Sequence, residues 1–115
     1  MVGIDIEEIE RFKNLDQHLM ERIYTKNEIE YCQRHVKPHV HFAGMWCCKE
    51  AVVKALKDLS LAVSEVEILH DNNGAPYVNV SEKLKQYFTD KKITGINVSI
   101  SHTNKIATAI AMIER

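Results

Sequence analysis

Asp5 and Glu50 sit in frames that suit metal or phosphate chemistry. Asp5 lies in Val2-Gly3-Ile4-Asp5-Ile6, a short apolar run that reads as a strand, and Glu50 lies in the helical stretch from Trp46 to Leu56. A carboxylate in an apolar strand is costly to bury unless something cationic meets it. Further along, Ser99-Ile100-Ser101-His102-Thr103 supplies hydroxyls, an imidazole and turn amides, groups suited to holding an anion. If the strand lies along the long helix, Asp5 and Glu50 can converge with water on one Mg²⁺, a cation commonly held by one or two carboxylates plus phosphate oxygens. The combination points to a divalent metal and a phosphate-bearing ligand.

Each of these residues also has a plainer reading. Asp5 is a favoured N-cap type and can simply cap a following helix. Phe42, Trp46, Glu50 and Lys54 fall four apart, so Glu50 and Lys54 share one helical face with an aromatic neighbour. As an exposed Glu-to-Lys pair they would contribute only ~0.2–0.5 kcal/mol. The aromatic residues that begin the stripe place Glu50 instead at the edge of a core. Ser101 and His102 are adjacent in sequence and do not make a catalytic triad, which needs spatial convergence and an orienting acid. His35, His39 and His41, with Cys32 nearby, suggest zinc, but their spacing crosses Pro38 and matches no compact ligand pair, so a solvated loop is preferred. Arg11, Arg22, Lys26 and Arg34 are either solvated surface cations or a face for an acidic protein partner.

The elements that position these groups read as follows. After the first strand, Glu7 to Phe12 looks helical, with acidic residues at its start. Thr25-Lys26-Asn27-Glu28 is a capping box that opens a helix to about Arg34. Pro38 breaks the chain, and 40–56 carries Phe42, Met45, Trp46, Val52, Val53 and Leu56 at helical spacing. Residues 65–70 and 77–80 alternate on either side of Asp71-Asn72-Asn73-Gly74, which predicts a hairpin. Ser81 caps a short helix to about Phe88, and 96–100 and 106–113 form a second hairpin. The expected fold is α+β, an antiparallel sheet packed against one long helix.

Composition narrows the function. At 115 residues with 45% hydrophobic, 27% charged and a net charge of −1, residues 1–115 are expected to form one domain, with no electrostatic invitation to nucleic acid. Neither a secretory leader nor a membrane-length apolar run is evident, so the expected location is cytoplasmic. Cys32, Cys47 and Cys48 are an odd number and are expected to be free, semi-buried thiols.

Taken in order, these motifs resemble the holo-acyl-carrier-protein synthase group of 4′-phosphopantetheinyl transferases. The resemblance spans nearly the whole chain. It rests on Gly3-Ile4-Asp5-Ile6 with Glu8 and Arg11; Arg22 to Glu28; Phe42-Ala43-Gly44 with Trp46, Lys49-Glu50-Ala51 and Lys54-Ala55; Asn73-Gly74-Ala75-Pro76-Tyr77; and Val98 to Thr103. The resemblance implies a homotrimer with active sites between subunits. It further implies Mg²⁺-dependent transfer of phosphopantetheine from coenzyme A to a serine of apo acyl carrier protein, serving fatty acid biosynthesis.

By the same resemblance Asp5 and Glu50 are metal ligands and Lys54 neutralises the pyrophosphate. The serine proton goes to Glu50, directly or through water, or to a metal-bound hydroxide, with Glu50 the favoured base. His102 and Thr103 help hold coenzyme A, with the turn of Asn73, Gly74 and Pro76 near its nucleotide. Arg11, Arg22 and Lys26 face the carrier protein. The chain departs from the family at Met45, where an arginine is usual, and at Lys57-Asp58-Leu59-Ser60-Leu61, where glycines are usual. A noncatalytic binding module is the competing reading. Asp5, Glu50, Lys54 and His102 together argue against it, since protein binding needs no such set.

Overall fold

The computed structural model describes residues 1–58 and 60–115; Leu59, within the segment that departs from the family, lies outside the described residues. Its centre is the helix α3 (Pro38–Leu56), which lies across a three-stranded antiparallel sheet of order β1 (Val2–Glu8), β5 (Ile106–Glu114), β4 (Gly95–His102). A separate hairpin pairs β2 (Glu67–His70) with β3 (Pro76–Asn79). Helices α1 (Gln17–Ile23), α2 (Lys26–Gln33) and α4 (Glu82–Lys91) complete the α+β arrangement.

Small side chains let α3 approach the sheet closely. The inner face of β5 carries Ala107, Ala109 and Ala111, all buried, and β1 opposes them with Gly3 and Asp5. A Cβ at Gly3 would stand 2.0 Å from the Ala51 carbonyl oxygen and 2.6 Å from the Ala55 nitrogen. No side chain fits there, so the backbone of α3 rests on that of β1.

This packing inverts the usual burial of an amphipathic strand. Gly3 and Asp5 face the helix, while Val2, Ile4 and Ile6 are 54%, 61% and 64% exposed. Across the register Val2 lies beside Met112 and Ile4 beside Ile110, both also exposed. The outer face of the sheet is thus an uncovered apolar strip.

Several expectations are corrected. Glu7 and Glu8 do not begin a helix: β1 pairs with β5 as far as Glu8 opposite Ile106, and only Ile9–Phe12 turn as a 3₁₀ helix. Ladder hydrogen bonds outweigh the favourable placing of acids at a helix start. Asp5 is accordingly mid-strand, opposite Ala109, and caps nothing. Helix α1 was not anticipated; Asp16 caps it by accepting from the Leu19 amide at 2.8 Å. Pro38 begins α3, where its missing N–H has no intrahelical role. Strand β4 continues through Ser101 and His102, which were expected in the connection. The three cysteines are free but wholly buried, and burial pushes each thiol up to about 12. The α2 capping box and both hairpins form as the sequence predicts.

Candidate active site

Down α3 the stripe passes from core to solvent, with Phe42 buried, Trp46 and Glu50 half-buried and Lys54 exposed. The same side of β1 meets its lower half. Lys54 Nζ donates to Asp5 Oδ1 at 2.9 Å and to the Ile4 carbonyl at 3.1 Å. The Asp5 bond raises the affinity of Lys54 for its proton. Among the described residues Asp5 Oδ2 is buried without a hydrogen-bond partner of ordinary geometry, with the Cys47 thiol beside the carboxylate. Such an oxygen is costly to leave unmatched, and a cation is the group that would satisfy it.

Glu50 completes the cluster. Burial, then the nearby Asp5 and Glu7 carboxylates, raise its pKa, against the opposing pull of Lys54. Glu7 is the residue sequence reasoning missed. One alternation beyond Asp5, it shares the inward side of β1, accepts from Trp46 Nε1 at 3.2 Å and pairs with Arg11 at 2.6 Å. The signal was present in the strand period of two, but reading Glu7 as a helix start concealed it.

Behind this cluster Lys49 anchors α3. It is fully buried and donates to Glu28 Oε1 at 2.6 Å; the same oxygen accepts from the Thr25 amide at 2.9 Å, and Oε2 accepts from the Ile68 amide at 2.8 Å. One carboxylate thereby ties α2, α3 and β2 together, and fixes the helix that presents Glu50.

The nucleotide candidates lie at the other edge of the sheet. His102 ends β4 and lines a small cavity with His41, His70, Gly74 and Pro76. Gly74, at φ +83°, shapes the turn between β2 and β3, where the Asp71 carboxylate accepts from the Asn73 and Ala75 amides at 2.8 and 2.9 Å. Thr103 is occupied in its own turn, its Oγ1 accepting from the Lys105 and Ile106 amides. The solvated-loop reading of the histidines is corrected as well: the His35 and His41 rings stack with centroids 3.7 Å apart. His41 and Glu50 are nine positions apart on α3, about half a turn out of phase and roughly 13 Å along the axis. Asp5–Glu50–Lys54 and the imidazole cluster therefore flank α3 instead of meeting. Arg11, Arg22 and Lys26 are exposed on the N-terminal segments, Arg11 held by Glu7.

Residues 1–111 match the family model described as the 4′-phosphopantetheinyl transferase superfamily. The chain belongs to this family. Within it, the chain is 45% identical to the holo-[acyl-carrier-protein] synthase of Protochlamydia amoebophila, over 96% of this chain and 94% of that one. Among solved structures it is similar to the Helicobacter pylori holo-[acyl-carrier-protein] synthase in complex with coenzyme A, with a TM-score of 0.83 and 30% identity over 99% of this chain and 100% of that one. The Neisseria meningitidis synthase aligns with a TM-score of 0.87 and 26% identity, over 99% and 97% of the two chains.

For a phosphopantetheinyl transferase the acidic cluster has a suitable donor set for Mg²⁺. The donors are oxygens, and Asp5 has one in need of a cation. Among the described residues no group of three His, Cys, Asp or Glu forms a metal-holding set. Mg²⁺ is commonly held by one or two carboxylates, with waters and substrate phosphate oxygens completing its shell.

Proposed function

We propose that residues 1–115 act as one holo-acyl-carrier-protein synthase domain, moving 4′-phosphopantetheine from coenzyme A to a serine of apo acyl carrier protein and releasing adenosine 3′,5′-bisphosphate. The observation that carries the reading is the half-satisfied carboxylate of Asp5 beside Lys54 and Glu50, in a chain with full-length similarity to such synthases. Asp5 and Glu50 would hold Mg²⁺. When bound, the ion would neutralise charge on the pyrophosphate and its leaving group.

The chain's own residues supply the rest. Lys54, held over Asp5 yet 51% exposed at its side chain, offers its one remaining N–H donor to a pyrophosphate oxygen. Glu50, made more basic by burial and neighbouring carboxylates, accepts the serine proton directly or through water. Phosphorus gains a bond to the serine oxygen as the bond to the bisphosphate oxygen breaks. Arg11, Arg22 and Lys26 steer the acidic carrier protein, and His102, Thr103 and the turn from Asn73 to Pro76 hold the nucleotide. Three free cysteines support a reducing, cytoplasmic setting. The product serves carrier proteins of fatty acid biosynthesis.

A homotrimer explains two otherwise separate features. The acidic and imidazole groups lie on either side of α3, and the sheet exposes an apolar strip through Ile4 and Ile110. A neighbouring copy covering that strip and bringing its imidazole edge to these carboxylates would complete each site between subunits. Ile4→Glu should yield monomers by light scattering and little activity; an active monomer would refute the shared site.

The direct test is the intact mass of apo acyl carrier protein after incubation with the protein, coenzyme A and Mg²⁺. A gain of one phosphopantetheine group, abolished by chelator, is expected. No gain on a carrier that a control transferase modifies would overturn the assignment for that carrier.

A further inference from the structure

A buried thiol stands beside the acidic site. On the inward side of β1, Gly3 rests on Ala51 and Ala55, and Glu7 accepts from Trp46. Asp5, midway between them, therefore lies over the turn of α3 from Cys47 to Ala51, and Lys54 reaches it from the solvent side. Cys47 is 0% exposed. Its Sγ–H donates to the Ala107 carbonyl at 3.4 Å, and the thiol also interacts with the Asp5 carboxylate. Ala107 stands two residues from the Ala109 that pairs with Asp5 across the sheet. Cys47 is thus wedged between β5 and the carboxylate that carries the unmatched Oδ2.

The other donors around Asp5 are committed. Lys54 serves Oδ1 and the Ile4 carbonyl, Thr108 Oγ1 serves the Asp5 backbone carbonyl at 2.8 Å, and Trp46 Nε1 serves Glu7. Among the described residues the Cys47 S–H is the buried donor that can turn to Oδ2. A thiol hydrogen rotates about the Cβ–Sγ bond, so it can trade one acceptor for another while the sulfur stays in place. Its two acceptors here differ in kind, a neutral carbonyl and a carboxylate. The charged one is the stronger, until a cation draws on the same charge. A thiol sheltered in this way keeps its proton, and as a weak donor it releases its acceptor easily.

We propose that Cys47 is a positioning residue for Asp5: its S–H holds the buried Oδ2 until a cation engages the carboxylate, and then turns to the Ala107 carbonyl. This rests on the reading of Asp5 as a ligand of Mg²⁺. The arrangement described above, with Cys47 on Ala107 and Oδ2 unmatched, is the one that receives the ion. No covalent bond changes, and no proton leaves the thiol. A methyl group at this place would leave the oxygen bare, and a hydroxyl would grip it against the cation. The thiol steadies the carboxylate and resists the exchange least.

Infrared spectra in the S–H stretching window test this, because a thiol bonded to a carboxylate stretches at lower frequency than one bonded to a neutral carbonyl. The free thiols are assigned with Cys32→Ala, Cys47→Ala and Cys48→Ala. Mg²⁺ is then titrated into the protein with desulpho-coenzyme A, which brings a pyrophosphate but no thiol, while calorimetry on the same samples follows Mg²⁺ uptake. The Cys47 band should rise in frequency in step with uptake, the Cys32 and Cys48 bands should stay, and Asp5→Asn should abolish the shift. Mg²⁺ affinity should fall roughly two- to tenfold in Cys47→Ser, the scale of one hydrogen bond, and should not fall in Cys47→Ala. Uptake with a motionless Cys47 band, an equal shift of every thiol, or unchanged or tighter Mg²⁺ binding by Cys47→Ser overturns the proposal and leaves the transferase reading standing. A parent protein that takes up no Mg²⁺ overturns the metal reading and this proposal with it.

Discussion

Two carboxylate–lysine pairs draw their lysines from α3, Lys49 with Glu28 and Lys54 with Asp5. Their lysines are five residues apart, yet one side chain is 0% exposed and the other 51%. Every Glu28 oxygen is engaged, by Lys49 and two backbone amides. Among the described residues Asp5 keeps one oxygen buried with no hydrogen-bond partner. A saturated pair has nothing left to offer a ligand and serves as a fastening. An unsaturated one at the edge of solvent is poised for a cation or phosphate. The number of unspent lone pairs and protons, more than burial, separates structure from chemistry here.

The sharpest way to break this comparison is to halve the saturated pair. Lys49→Met should cost about 3–5 kcal/mol in urea or thermal unfolding, because it strands a buried charge. Adding Glu28→Gln removes the charge but sets an NH₂ donor against a backbone amide, so it should recover only part of that loss; a single variant as stable as the parent would remove the distinction. Asp5→Asn should do the reverse, leaving stability within ~1 kcal/mol, since a partly exposed pair contributes little. It should lower kcat by roughly 10²–10³, a usual scale for losing one stabilising electrostatic group. Unchanged kcat would remove Asp5 from the chemistry.

Trp46→Phe sharpens the role of Glu7. Losing the indole bond to this carboxylate should destabilise by about 1 kcal/mol in the same unfolding assay, and no change would show that Glu7 is held by Arg11 alone. The smallest effect concerns pH. His41 is less basic folded, at about 4, than its ordinary 6.5. Between those values the unfolded chain binds more protons, so stability should decline as pH falls from about 6.5 toward 4. His41→Phe should reduce that decline; an identical pH profile for both proteins would assign the acid sensitivity elsewhere.

Much of this was legible in the chain. Helix α2 was announced by Thr25 and Glu28, whose reciprocal bonds are local, and the stripe from Phe42 to Lys54 located Glu50 at a core edge. What escaped depended on distant partners. Glu7 was misread because β5, a hundred residues later, extends β1 through it. The histidines looked solvated because their neighbours come from β2 and β4, and no local spacing reports that. Lys49 showed nothing of its burial, because its counter-charge stands on another helix.

Gly3 sets the mechanical tolerance of the acidic site. Asp5 and Glu50 are brought together by a backbone-to-backbone seat, with no intervening rotamer to flex. An added methyl at Gly3, 2.0 Å from the Ala51 oxygen, would have to retreat by about 1.5 Å to reach ordinary contact. That play would be comparable to most of a metal–oxygen bond of roughly 2.0–2.1 Å. The dimension that matters most to the chemistry is machined by an atom that is absent.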